Sequence, residues 1–247
     1  MIVQDLRAGL SPVVFAREAL NLEPDQWQAD VLSSGAQQIA LCCSRQAGKS
    51  TVSSVLAAHT AIFMPDSLTV LISPSLRQSG ELFKKVCAFL KLANASLEQD
   101  SASSVSVRGG GRIVSLPGNE TTIRGFSSVT LAIFDEAAFA EDGVYRALRP
   151  MLAVSQGRLI LLSTPNGQRG FFYESWSDTS SDWQKFSVPA SQCPRIAPGF
   201  LEKERRALGE FFFSQEYECT FLESVSGVFR SEAIAKAFNS GEEKWEF

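Results

Sequence analysis

The chain has 247 residues, 45% of them hydrophobic, with five cysteines, one histidine and a formal net charge of −4. The hydrophobic share supplies a packed core and excludes global disorder; the acidic balance leaves any DNA contact local, weak or built by several copies. No apolar run approaches the ~18 residues of a membrane span, Met1-Ile2-Val3-Gln4-Asp5 lacks the layout of a secretory leader, and the cysteines lack Cys-x-x-Cys spacing. A soluble intracellular protein with reduced, mostly buried thiols and no zinc site is therefore expected.

Residues 1 to 22 carry apolar positions consistent with helix, interrupted near Ser11-Pro12. Pro24 suits the first position of a second helix that contains Trp27-Gln28. An amide can read an adenine edge bidentately and an indole can pack near a base; the alternative is an ordinary surface glutamine and a core tryptophan.

The apolar run Ile39–Cys42 then reads as a buried strand, Cys43-Ser44-Arg45-Gln46-Ala47-Gly48-Lys49-Ser50-Thr51 as a loop, and Val52–Phe63 as a helix. Strand, loop and helix in this order are the context of a phosphate loop. Gly48 lets the backbone approach a phosphate, Lys49 can reach the β/γ-phosphates, and Ser50 offers a hydroxyl to Mg²⁺. Cys43 stands where the usual pattern has its first glycine.

Leu68–Ser73 reads as a second buried strand and Leu76–Leu92 as an amphipathic helix, followed by a polar surface loop over Asn94–Ser104. Val105–Leu116 alternates on both sides of three glycines, a hairpin pattern in which Arg108 and Arg112 either meet a phosphate backbone or flank an exposed turn. Val129–Phe134 reads as a parallel strand buried on both faces, with Asp135 and Glu136 at its C-terminal end. Asp135 is placed to hold Mg²⁺ and Glu136 to orient and deprotonate a water, a division of labour that points to hydrolysis. Asp142–Leu152 suits a short helix, and the fourth buried strand, Gly157–Leu162, ends in Ser163-Thr164-Pro165-Asn166-Gly167. That end is either a plain turn or a sensor of the γ-phosphate.

From Gly170 the texture changes. A helix over Phe171–Trp176, a polar loop over Ser177–Asp182, a strand over Trp183–Val188 and two short helices, Phe200–Leu208 and Glu210–Phe221, are expected. Phe211, Phe212, Phe213, Tyr217 and Phe221 are the expected core of this part. Residues 1–170 thus read as a P-loop core and 171–247 as a small lid, with an acidic, solvated tail at Gly241–Phe247. The fold class is α/β, a P-loop NTPase with a mainly parallel sheet flanked by helices.

The order of motifs resembles the large terminase subunit of tailed bacteriophages, the motor that packs DNA into procapsids. The match is carried by Trp27-Gln28, Ser44 to Thr51, Leu131 to Glu136 with Ala137-Ala138, and Ser163 to Gly167. Phe200-Leu201-Glu202, Gln215-Glu216-Tyr217 and Gly227-Val228-Phe229 are similar too. The resemblance implies an ATPase of the additional-strand, catalytic-glutamate type. By it, Gln28 contacts adenine, Lys49 and Ser50 the phosphates and Mg²⁺, Asp135 the metal and Glu136 the water, while Ser163 to Pro165 match a coupling motif. Arg45 resembles a phosphate-contacting arginine. Arg124 resembles a finger acting on the neighbouring subunit, a role for which Arg45, Arg146, Arg149 and Arg158 compete.

The resemblance further implies double-stranded DNA, the portal protein and the small terminase subunit as partners, a pentameric ring, and action in the host cytoplasm at the procapsid. Family members usually continue into a nuclease domain near where Phe247 falls, so no DNA cleavage is expected of this chain. Two other readings stand beside it: a nucleotide-binding assembly module with little activity alone, and a helicase-like DNA translocase.

Overall fold

The computed structural model describes residues 2–179 and 182–223. Four of its strands, β1 (Gln38–Cys43), β2 (Leu68–Ser73), β6 (Leu131–Asp135) and β7 (Arg158–Ser163), are buried at every position past the first or throughout. Such continuous burial requires helices on both sheet faces, and it is why these strands read as unbroken apolar runs. With β3 (Leu97–Asp100), β4 (Ser104–Val107), β5 (Arg112–Pro117) and β8 (Trp183–Val188) they form one sheet in the order β3-β4-β5-β2-β6-β7-β1-β8. From β5 to β8 all neighbours are parallel, and β3 and β4 join antiparallel at one edge. β7 lies between β1 and β6, the additional strand of the expected class.

Alternation along each strand divides the core in two. Leu71, Leu131 and Ile133 face a cluster shared with α2 (Pro12–Glu18), α3 (Gln26–Ser33), α4 (Lys49–Phe63) and α5 (Leu76–Leu92). Val70, Ile72, Ala132 and Phe134 face the other, shared with α6 (Glu120–Ile123), α7 (Asp142–Leu148) and α8 (Gly170–Ser177). The N-terminal helices, α1 (Ile2–Leu10) and α2, are separated at Ser11, whose hydroxyl caps α2 by accepting from the Val14 amide.

Several expectations are corrected. α3 starts at Gln26 rather than at Pro24, because Asp25 is its cap and the Gln28 side chain accepts from the Asp25 amide, a start signal that outweighs the proline. Asn94–Ser104 contains β3, a short polar edge strand whose residues carry no apolar period to betray it. Asp142–Leu152 is helical only to Leu148 and continues as a 3₁₀ turn, Arg149–Leu152.

β8 lies beyond residue 170, yet it pairs with β1 from Trp183 opposite Gln38 to Val188 opposite Cys43, so the main sheet itself crosses that position. α9 (Pro198–Tyr217) is broken at Gly209, whose φ of 74° and ψ of 162° no helix contains, and the two expected helices lie on either side. Phe213 and Tyr217 are buried against Ala190, but Phe211 and Phe212 are 37% and 56% exposed. Past the break, positions 213 and 217 share one helix face and 211 and 212 point away from it. Residues 180 and 181 of the expected polar loop, Gly227 to Phe229 and the tail Gly241–Phe247 lie outside the described residues.

Candidate functional site: a phosphate loop facing two carboxylates

All parallel strands end on the same edge, so the loop after β1, the acids after β6 and the turn after β7 converge. Cys43 is fully buried at the end of β1, and burial pushes its thiol well above the usual range, so it stays neutral under the loop. The loop is braced from behind by residues after β7: the Ser44 amide donates to Val188 O at 2.9 Å and the Arg45 amide to Glu216 O at 3.0 Å. Gln46 and Gly48 take positive φ values of 62° and 101°. The positive φ is what calls for glycine at 48; a Cβ there would lie 2.8 Å from Gln28 Nε2 and 3.1 Å from Arg195 Nη2, the ends of side chains that could shift. α4 begins at Lys49, and its first amides have no intrahelical acceptor, so they and the helix dipole favour an anion at this point.

Lys49 Nζ lies 2.8 Å from Glu136 Oε1. Burial disfavours the ammonium, but Glu136 and Asp135 outweigh it and raise its pKa above the ordinary lysine value. Asp135 is 7% exposed; burial lifts its pKa to about 6 against the opposing pull of Lys49, with Glu136 adding to the rise. Glu136 is left-handed, φ 55° and ψ 41°, a conformation that turns the chain sharply away after β6. Ser163 Oγ at the end of β7 accepts from the Ala138 amide at 3.2 Å and donates to Glu136 Oε2 at 3.4 Å, and Asn166 Nδ2 donates to Ala138 O at 3.1 Å. The turn after β7 is thereby tied to the segment carrying Glu136. Thr164 is buried beside it.

A cleft of about 340 Å³ opens between Ser50, Asp135 and Glu136 on one wall and Arg77, Gln78 and Lys85 of α5 on the other. Lys85 Nζ donates to Thr51 Oγ1 at 2.6 Å. Neither Arg77 nor Lys85 was expected from the sequence. Their separation of eight residues on a helix, two turns apart on one face, is the signal that could have found them. Arg195 was missed as well, for its segment is irregular; it reaches the loop through Ala47 O, at 2.7 Å.

The expected site residues divide. Ser44 to Thr51, Asp135, Glu136, Ser163 and Thr164 are gathered on this edge. Gln28 reaches it too, 4% exposed against Gly48, with its Oε1 accepting from the Asp25 amide at 2.9 Å. Trp27 is buried in the core, its Nε1 without a partner among the described residues. Arg45 points outward, 65% exposed, and pairs with Glu216 at 2.6 Å.

Arg124 caps α6, pairs with Glu120, and shares with Arg146 a separate cleft that neither Asp135 nor Glu136 lines. Arg149 donates to Gln38 Oε1 and Arg158 to Ser34 O and Ala36 O, all at the opposite edge of the sheet. Arg108 pairs with Glu98 and Arg112 bonds to Ser104 Oγ.

Comparison with known proteins gives this geometry a family. The chain is 25% identical over 191 residues to the large terminase subunit of Escherichia phage T5, matching 74% of this chain and 43% of that one. It is 25% identical to the large terminase subunit of Thermus phage G20c, covering 86% of this chain and 51% of that one, so it spans about half the length of these relatives. In three dimensions it is similar to the large terminase ATPase domain of Thermus phage P74-26, with a TM-score of 0.77, 22% identity, 86% of this chain and all of that one covered. A family profile for the large terminase subunit, T4likevirus-type, N-terminal region matches residues 41–236. The chain belongs to the large terminase subunit family.

Proposed function

We propose that the loop and carboxylates form a Mg²⁺-dependent ATPase site, and that hydrolysis there drives translocation of double-stranded DNA into a procapsid. The observation that carries the reading is the meeting of Lys49 and Glu136, 2.8 Å apart, on the edge that Asp135 and Ser50 share, with β7 lying between the two strands that bear them. A large terminase from a thermophilic bacteriophage has been solved in complex with ATP-γ-S, which supports a nucleotide in this family's fold.

In this reading the triphosphate lies along the amides of the loop and the start of α4. Lys49 exchanges Glu136 for the β/γ-phosphates. Freed from the lysine and held near Ser163, Glu136 accepts a proton from water as its oxygen attacks the γ-phosphorus and the bond to ADP breaks. Asp135 and Ser50 fit Mg²⁺: a buried carboxylate whose ionised form is disfavoured gains from a cation, and nucleotide-bound Mg²⁺ needs only one or two protein oxygens. When bound, the ion neutralises charge on the phosphates.

The turn Ser163–Pro165 then reads the phosphate through Glu136 and Ala138, and Arg124 acts on the neighbouring subunit of a pentameric ring. Portal protein, small terminase subunit and a location in the host cytoplasm follow from the same reading. Steady-state ATP hydrolysis with Mg²⁺ and with excess EDTA tests it. Activity is expected with Mg²⁺ alone, lost in Lys49→Ala together with ATP binding; ATP hydrolysis indifferent to Lys49→Ala would contradict the site.

A further inference from the structure

The face of α5 that lines the cleft carries Arg77, Glu81 and Lys85, spaced four residues apart and so stacked turn upon turn. Their charges are not equally matched. Glu81 is paired with Lys84 at 2.8 Å and has Arg77 nearby as well. Lys85 is half-buried, and among the described residues its ammonium is paired with no carboxylate: Nζ donates to Thr51 Oγ1 at 2.6 Å, a neutral hydroxyl in the first turn of α4. Burial, and then the nearby Arg195 guanidinium, lower its pKa below the ordinary lysine value, and no acid offsets them. Lys49 shows the contrast, since Glu136 and Asp135 raise its pKa against a deeper burial. A half-buried cation beside a second cation is disfavoured in the empty chain, and an anion brought against it removes that penalty. The opposite wall of the same cleft is Ser50, Asp135 and Glu136, where the phosphates and their metal are read to lie.

We propose that Lys85 is a phosphate ligand of the nucleotide site: its ammonium rests on the Thr51 hydroxyl in the empty chain and turns to an oxygen of the triphosphate when the nucleotide enters. The proposal rests on the loop being a nucleotide site and adds a second lysine to it, supplied by α5. Lys49 meets the phosphates along the loop, and Lys85 meets them from the facing wall of the cleft. An ammonium with three donors on a four-carbon stem can leave Thr51 for a phosphate oxygen without movement of the helix. The lysine thus destabilises the empty chain and strengthens the loaded one.

The test measures ATP binding in the presence of Mg²⁺ by isothermal titration in Glu136→Gln, which keeps the nucleotide unhydrolysed, and in the same chain carrying Lys85→Met or Lys85→Arg. The melting temperature of each is taken without nucleotide. Lys85→Met keeps an unbranched stem and removes the charge. It is expected to weaken ATP binding by about tenfold or more, the scale of one charge-assisted hydrogen bond. The melting temperature of the empty chain is expected to stay unchanged or rise, because a half-buried charge without an acid partner has been removed. A lysine that only tied α5 to α4 would do the reverse, losing stability and keeping affinity.

Lys85→Arg keeps the charge, and its ATP affinity is expected closer to that of the unsubstituted lysine than to that of Lys85→Met. Three results would each overturn the proposal: ATP affinity of Lys85→Met within about twofold of the chain with Lys85 intact, a lowered melting temperature or failure to fold in Lys85→Met, or Lys85→Arg binding ATP no better than Lys85→Met. No ATP binding to Glu136→Gln with Lys85 intact would instead count against the nucleotide site itself, and the proposal would fall with it.

Discussion

Asp135 shows at the level of one residue how burial sets chemistry. Its pKa of about 6 exceeds the ordinary carboxyl value of 3.8, so the folded chain holds this proton more tightly than the unfolded one does. The sign follows: the group costs stability progressively as pH rises from near 4 through 6 and costs none below that window. Asp135→Asn is therefore expected to raise the melting temperature at pH 8 and to leave it unchanged near pH 4, measured by calorimetry at both values. The same proton competes with metal. Below pH 6 the apparent Mg²⁺ affinity of the nucleotide-loaded chain should fall by up to about tenfold per pH unit, and Asp135→Asn should flatten that dependence, as isothermal titration would show.

Sequence reasoning reached these residues because adjacent acids at the end of a buried strand and Gly-Lys-Ser at the start of a helix are local patterns. Arg195 and Lys85 were out of its reach, since their roles depend on partners at Ala47 and Thr51 brought near by the sheet alone. Gln28 was placed beside the loop correctly, but its hydrogen-bond commitment to Asp25 depends on a cap geometry that spacing does not disclose.

Among the elements, β6 carries the site on a core that cannot yield. Phe134, one residue before Asp135, is fully buried and packs on Phe171 of α8 with ring centroids 5.4 Å apart. Phe134→Ala should cost about 3–5 kcal/mol in urea unfolding, from lost transfer energy and the cavity left behind. The contact between Arg45 and Glu216 is of another kind. The arginine is mostly exposed, so breaking the pair with Glu216→Gln should change stability by less than about 1 kcal/mol.

The buried strands and long helices were legible because their apolar runs are long and their periods clean. β3 and the true faces of Phe211 and Phe212 were not: the first is a short edge strand with a single apolar residue, and the second depends on the break at Gly209. β8 was recognised as a strand but not as a member of the main sheet, because pairing with β1 is a long-range choice.

For the whole molecule, the arginines sort by position. Arg149 and Arg158 hold the far edge of the sheet together, whereas Arg124 lines a cleft apart from Asp135 and Glu136, and the proposed role for it is action on a neighbouring subunit. ATP hydrolysis per chain should then climb with protein concentration and fall about a thousandfold in Arg124→Ala. A rate flat in concentration and unmoved in that variant would remove Arg124 from the reaction.

Hydrolysis is proposed to take place on the edge where Lys49, Asp135 and Glu136 meet. ATP binding and single-turnover hydrolysis measured side by side in Glu136→Gln test it most directly. Binding kept within about threefold with turnover reduced by about a thousandfold or more is the expected result, since the change removes the base and spares the phosphate loop. Turnover equal to that of the native chain would contradict it.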